Sequence, residues 1–248
     1  MPVAALYDIH GNLPALEAVL EEVRAESVDR IVIGGDIVPG PLPRETFELL
    51  LNLQIPVDFI RGNGDRAVLD VMNGFEATSV PEHFRPIIRW TAEQLNDSHR
   101  RILESWPPTF RLDVDGVGRV LFCHATPDSD MPIFSRATSE EKLMPIFSAL
   151  DVDLVVCGHT HMQFDRKVGP VRIVNAGSVG MPFGKPGAYW LLLDSGVALR
   201  RTDYDLESAA DRIKAGTYPQ AEMFAEKNVL EPPTEESIIE AYSKMELK

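Results

Sequence analysis

The first 65 residues alternate strand-like and helix-like segments, and this order restricts the fold more than any other feature of the chain. Val3 to Tyr7 is a short apolar run of strand length. A helix is predicted next, with Asn12 as its N-cap, Pro14 in its first turn, and Leu13, Leu16, Leu20 and Val23 on one face. Arg30 to Ile33 is a second strand ending at Gly34-Gly35-Asp36, and residues 43 to 53 read as a second helix. Val57 to Ile60 is a third strand, ending in the turn Arg61-Gly62-Asn63-Gly64-Asp65. Short strands joined by crossover helices run parallel, so a β-α-β-α-β order calls for a parallel sheet with helices laid on it. Residues 66 to 105 are predicted to be largely helical, with breaks near Gly74 and Pro81.

The second half has a different rhythm. Phe110 to Val114 and Arg119 to Cys123 flank Asp115-Gly116-Val117-Gly118, a hairpin signal. Residues 125 to 137 form a loop rich in Pro, Asp and Ser, and a helix is expected over 139 to 150, kinked or delayed by Pro145. Leu154 to Cys157 is another buried strand, followed by short strands at 163–168, 171–175, 188–193 and 197–202. By pattern alone the chain is an α/β protein with one parallel-rich and one antiparallel-rich sheet. It divides at about residue 204, with 1–204 as the main domain and 205–248 as a helical extension interrupted by Pro219 and Pro232-Pro233. The last helix should open at Thr234, with Glu235 and Glu236 favourably placed at its positive end. Its apolar stripe of Ile238, Ile239, Tyr242 and Met245 fits either docking on the domain or a homodimer contact.

At 248 residues the chain is long enough to bury a substantial core. A net charge of -14 excludes a broad basic face, so neither a stable nucleic-acid complex nor an anionic membrane surface is expected. The N-terminal residues carry no basic segment and no apolar stretch of signal-peptide or membrane length, and a cytoplasmic location is expected by exclusion. Cys123 and Cys157 lie inside apolar runs without a Cys-x-x-Cys spacing, as reduced buried residues do. An acidic protein that handles phosphorylated compounds needs concentrated local positive charge, which bound metal ions supply.

Five apolar runs each end in a side chain able to bind metal. They lead to Asp8-Ile9-His10, Gly35-Asp36, Gly62-Asn63, His124, and Gly158-His159-Thr160-His161. Each piece alone has a plain structural reading: an Asp after Gly-Gly is a turn residue, Asn in a Gly-rich turn tolerates a left-handed backbone, and a lone His is usually a core residue. Their placement changes that reading. Open α/β sheets build their sites at the carboxyl ends of strands, and four of the six histidines fall at such ends, leaving His83 and His99 elsewhere.

Asp8-x-His10, Gly35-Asp36, Gly62-Asn63-x-Asp65, His124 and Gly158-His159-x-His161, in this order, resemble the signature of the calcineurin-like metallophosphoesterase superfamily over about residues 3 to 195. Asp8 to Leu13 and Asn175 to Gly180 are similar to its small prokaryotic phosphoesterases, related to diadenosine tetraphosphatases and serine/threonine phosphatases. The resemblance implies a four-layer sandwich of two mixed β-sheets flanked by helices. It implies two divalent transition-metal ions, Mn²⁺ foremost with Fe, Zn²⁺, Ni²⁺ or Co²⁺ as alternatives, a choice consistent with a mixed N/O ligand set. Asp36 would bridge them; Asp8, His10 and His161 would complete one shell, and Asn63, His124 and His159 the other. Asp36, Asn63 and His124 would carry the catalytic step, in which a metal-bridging hydroxide attacks a small phosphoester.

One position departs from the pattern. Many relatives carry a His between the Asn and the Asp of the third motif, where it protonates the leaving group, and here that residue is Gly64. A preference for activated esters or anhydrides is expected, or a substitute acid such as His83 or His99. Asp65 is expected to anchor the Gly-rich turn or pair with Arg61, and Arg61 and Arg66 to meet substrate phosphate or to form surface ion pairs. Neutral imidazoles are needed to bind metal, so affinity should fall in mild acid. The rival reading is a non-catalytic metal-binding scaffold of the same fold, as in a retromer subunit.

Overall fold

The structure, a computed structural model, describes residues 1–247. β1 (Val3–Leu6), β2 (Arg30–Ile33) and β3 (Val57–Phe59) alternate with α1 (Leu13–Ala25) and α2 (Pro43–Leu51). They are followed by α3 (Asn63–Met72), α4 (Arg85–Gln94), α5 (Asp97–Ser105), the hairpin of β4 (Thr109–Val114) and β5 (Gly118–Cys123), and α6 (Glu140–Phe147). β6 (Leu154–Cys157), β7 (Phe164–Val168), β8 (Val171–Asn175), β9 (Ala188–Leu193) and β10 (Val197–Thr202) complete the strands. The chain ends in α7 (Leu206–Lys214), α8 (Ala221–Phe224), a π-helical turn at Ala225–Leu230, and α9 (Glu235–Ser243).

Two five-stranded sheets result, ordered β10-β9-β1-β2-β3 and β4-β5-β6-β8-β7. Both are mixed, and each contains two parallel and two antiparallel pairings. This corrects the division into one parallel-rich and one antiparallel-rich sheet. The β9–β10 hairpin, far along the chain, returns to the first sheet, where Val3 pairs with both Arg30 of β2 and Leu193 of β9. In the second sheet β5, β6 and β8 run parallel.

Strand periodicity sets the layers, because successive side chains leave opposite faces. In β1, Val3 and Ala5, with Tyr7 beyond, join the core between the sheets, whereas Ala4 and Leu6 join Leu16, Val19 and Phe47 beneath the helices. In β5 and β6, Val120, Phe122, Leu154 and Val156 face the first sheet, and Leu121, Cys123, Val155 and Cys157 face Leu143 and Phe147 of α6. The result is helix, sheet, sheet, helix. A fourth cluster joins Ala209, Ile213, Tyr218 and Phe224 of the C-terminal segment to Ile87 and Trp90 of α4. No helix among the described residues is long and apolar enough to cross a membrane.

Two local expectations change. Residues 61 to 65 are the mouth of a helix rather than a free turn: α3 begins at Asn63, and Gly62 N–H is held by the Asp65 carboxylate at 3.0 Å. Pro145 neither delays α6 nor stops it at once; the helix begins at Glu140 and runs to Phe147, shorter than 139–150.

Candidate metal centre

The carboxyl ends of β1, β2, β5 and β6 meet where the two sheets face each other, and three bonds cross between them. His159 N–H donates to Asp8 Oδ2 at 2.8 Å, His124 Nδ1 lies 2.9 Å from Gly34 O, and Tyr7 O–H donates to Val156 O at 3.0 Å. The approach is close enough to require glycine: a Cβ on Gly62 would lie 2.2 Å from Asp36 Oδ1, and one on Gly158 would lie 2.5 Å from Asp8 Oδ2.

All seven side chains singled out in the sequence converge here. His10 Nε2 lies 3.3 Å from His161 Nε2, which is 3.4 Å from Asp8 Oδ1. Asp36 Oδ2 is nearly equidistant from His10 Nε2 at 3.7 Å and His124 Nε2 at 3.6 Å. The Asn63 side-chain amide stands 3.0 Å from His124 Nε2 and 2.9 Å from His159 Nδ1. Five of the seven, Asp8, His10, Asp36, His159 and His161, hold a left-handed backbone with φ between 47° and 66°. Non-glycine residues adopt that conformation at a cost, and functional sites are where it concentrates.

The four imidazoles share a device. Each places one ring nitrogen on a backbone carbonyl: His10 Nδ1 on Pro39 at 3.1 Å, His124 Nδ1 on Gly34 at 2.9 Å, His159 Nε2 on Met131 at 3.1 Å, and His161 Nδ1 on Met181 at 2.8 Å. A carbonyl only accepts, so that nitrogen carries the proton and the other turns its lone pair inward. Asp8 Oδ1, fully buried, has no hydrogen-bond partner. Inward lone pairs, an orphaned carboxylate oxygen and an amide form a donor set that fits divalent cations, with Asp8, His10 and His161 as one group and Asp8, Asp36 and His124 as another. The Asn63 N–H₂ satisfies the inward nitrogens of His124 and His159, and the same amide would offer its Oδ1 to a cation held here.

The electrostatics agree. Burial, reinforced by His161, pushes His10 down to about 3, and burial with His124 does the same to His159, so both rings are neutral near pH 7. Burial acts to raise Asp8, but the surrounding imidazoles of His161, His124 and His10 outweigh it and hold the carboxyl well below its usual range. Asp36 is pushed well up, by burial first and then by the Asp8 charge. One Asp36 oxygen, Oδ1, is fixed by Gly64 N–H at 2.7 Å, which leaves Oδ2 facing the imidazoles.

Asp65 is fully buried and accepts from the N–H groups of Asp36, Val38 and Gly62, so it anchors the turn and does not pair with Arg61. Arg66 closes a two-pronged pair on Asp130, at 2.7 and 2.8 Å. Among the described residues no partner holds the Arg61 guanidinium, and Arg61 lines a cleft of about 220 Å³ with His124, Ser129 and Asp130. His99 lies away from the centre, packed on Phe47 at 5.0 Å with its Nδ1 accepting from Asn96 N–H. His83 is exposed against Phe84, and neither histidine lines the cavity above the ligands. Ser178 locks the loop beneath the ligands, its hydroxyl donating to the Asp8 backbone carbonyl and accepting from Met181 N–H. Asp130 and the four carbonyl acceptors went unread in the sequence, since a carbonyl carries no residue type and Asp130 lies in an unpatterned loop.

Comparison with known proteins identifies the family. Residues 1–196 match the calcineurin-like phosphoesterase superfamily domain. A metallophosphoesterase from Sphaerobacter thermophilus superposes with a TM-score of 0.72 at 28% identity, over 92% of this chain and 100% of that one. A hypothetical protein from Pyrococcus horikoshii OT3 gives a TM-score of 0.77 at 25% identity, over 94% of this chain and 99% of its own. Phosphodiesterase YfcE of Escherichia coli is 25% identical over 199 residues, which is 77% of this chain and 85% of YfcE. On the strength of a match covering most of its length, the chain belongs to the calcineurin-like phosphoesterase superfamily and is a metal-dependent phosphoric ester hydrolase.

Proposed function

We propose that the chain is a dinuclear phosphodiesterase whose seven converging side chains hold two divalent transition-metal ions. Asp36 is the bridge between a group of Asp8, His10 and His161 and a group of Asn63, His124 and His159. The observation that carries this reading is the shared orientation of the four imidazoles, each anchored outward to a carbonyl and turned inward toward two buried carboxylates. Mixed nitrogen and oxygen donors favour Mn²⁺, Fe, Zn²⁺, Ni²⁺ or Co²⁺ over Mg²⁺ or Ca²⁺, and Mn²⁺ is our first choice. When bound, the ions acidify a water that attacks phosphorus and take up charge from the phosphoryl oxygens.

The chain's own residues then have distinct tasks. Gly64 N–H holds one Asp36 oxygen so that the other remains in place. Arg61, unpaired in its cleft beside His124, is positioned to meet a phosphoryl oxygen. With Gly64 in place of an acid, the leaving group departs without a proton from that position, so rate should depend steeply on leaving-group pKa. The relationship to YfcE, a phosphodiesterase, favours a diester.

The test is metal analysis combined with hydrolysis of bis-p-nitrophenyl phosphate and p-nitrophenyl phosphate, with Mn²⁺ or with chelator, for wild type and Asp36→Asn. We expect two metal equivalents, chelator-sensitive turnover, a faster diester, and loss of at least a hundredfold in Asp36→Asn. One metal equivalent would overturn the dinuclear reading, and bound metal without turnover of either ester would favour a scaffold of this fold.

A further inference from the structure

Above the ligand set lies a cavity of about 340 Å³, and its floor is formed by His10, Asp36, Asn63, His159 and His161. We infer that this cavity seats an apolar, uncharged substituent of the phosphoryl group, an aryl group or an alkyl chain of several carbons, and that the C-terminal segment writes this preference. The inference rests on the hydrolase reading above and adds the substrate class.

Two walls carry it. Phe84, just before α4, and Ile87 and Ile88 in its first turn form one; Met223, Phe224 and Tyr242 of the C-terminal segment form the other. Above the ligands the hydrogen-bonding groups of the lining are the side chains of Gln220 and Asn228 and the hydroxyls of Tyr218 and Tyr242, all uncharged, and no Lys or Arg contributes to it among the described residues. A second phosphate of a nucleotide or dinucleoside polyphosphate would therefore enter a cavity without a cation, in a protein of net charge -14. Any hydroxyl of a substituent that lies against Ile87, Ile88 and Phe224, rather than against those uncharged polar groups, would lose water without a partner, which is unfavourable. An apolar group gains from the same walls, and the volume falls within the range of small-molecule sites.

Exposure points the same way. Phe84 and Met223 remain 39% and 48% exposed, although both belong to this lining. Large apolar side chains held open to water around a cavity that reaches the reacting centre mark a place where apolar surface is to be covered. The wall of Met223, Phe224 and Tyr242 lies beyond residue 196, where the superfamily match ends. The centre is thus common to the superfamily, while this wall is supplied by the segment outside the match.

The test is calorimetric titration of the Mn²⁺-loaded protein with methyl-, butyl-, hexyl- and phenylphosphonate and with adenosine monophosphate, which needs no turnover. Affinity is expected to rise about fourfold per added methylene as each is buried. Phenylphosphonate should bind near the top of the series, and adenosine monophosphate no tighter than methylphosphonate. Met223→Gln and Phe84→Ser, both at exposed positions that spare the core and neither adding charge, should flatten the series, with a loss that grows with chain length. A flat wild-type series with methylphosphonate bound, or adenosine monophosphate binding more tightly than hexylphosphonate, would overturn the inference while leaving the metal centre intact. Failure of every phosphonate, methylphosphonate included, to bind the metal-loaded protein would instead remove the hydrolase reading on which this inference rests.

Discussion

Gly64 is small because nothing larger fits. A Cβ there would lie 2.7 Å from Val38 O, 2.8 Å from Pro39 Cδ and 3.0 Å from Asp36 Oδ1. Installing the His that relatives carry should therefore not create a leaving-group acid. Gly64→His is expected to lower stability by about 1–3 kcal/mol, the usual penalty for overpacking, and to reduce turnover by disturbing Asp36. Urea unfolding and the dependence of rate on leaving-group pKa check this; wild-type stability with a flatter dependence would sink it. The residue types of the ligand set, and their order, are legible in the sequence because carboxylates and imidazoles at strand ends have few other uses in combination. Their conformation is not. Nothing in Asp8 or His161 as a residue type announces the left-handed backbone that both adopt where the two sheets meet. The same holds for Arg66, whose sequence context leaves open a phosphate or an acid, and whose guanidinium closes on Asp130 across 64 residues.

Among the elements, α1 shows how a helix start can serve the centre. Asn12 caps it by accepting from Ala15 N–H at 3.3 Å, and its own N–H₂ donates to Gly180 O at 3.0 Å, in the loop that bonds back to Asp8 O through Gly180 N–H. The two functions can be separated. Asn12→Ala should cost about 2–4 kcal/mol, a lost cap plus an orphaned buried carbonyl. Asn12→Asp keeps the cap and still loses the donation to Gly180, so it should weaken metal binding while preserving the helix. Urea midpoints at unchanged m-value, with Mn²⁺ titrations of both variants, check this, and an Asn12→Asp protein with wild-type metal affinity would refute it. The bounds of α1 and most strands follow from periodicity and glycine, which are local signals. The sheet to which β9 and β10 belong is not local: Leu193 pairs with Val3, and no pattern within either strand names its partner.

For the molecule as a whole, the centre joins two sheets while burying three carboxylates, and its stability should depend on metal and pH together. Burial, then the Asp36 charge, pushes Asp65 up to about 7, and Asp36 itself is raised. In the unfolded chain such groups titrate near pH 3.9, or about that. A carboxyl whose folded pKa is raised contributes stability that is fully present below the unfolded value and lost as pH rises through the folded one. His10 and His159 have the opposite effect: they fold with values of about 3 and titrate at about 6.5 when unfolded, so their burial costs stability only as pH falls below that. Between pH 4 and 6.5, roughly, the two effects oppose each other, and above that window only the carboxylates act. Metal-free protein should therefore lose stability as pH rises from about 6.5 through the Asp65 value of about 7. Cations neutralise Asp36 and reverse the trend, because ions that displace its proton bind more tightly as pH rises. One ion present at a thousand times its dissociation constant contributes about 4 kcal/mol, worth roughly 8–16 °C in a chain of this length. Thermal melts at pH 5, 6.5 and 8, with EDTA and with excess Mn²⁺, should show a gap between the two forms that widens with pH. Since the His10 and His159 imidazoles are already neutral at pH 5, they add nothing to the acid sensitivity of metal binding, and the raised Asp36 carboxyl contributes to it. A gap that is constant or narrows with rising pH would place the competing proton elsewhere.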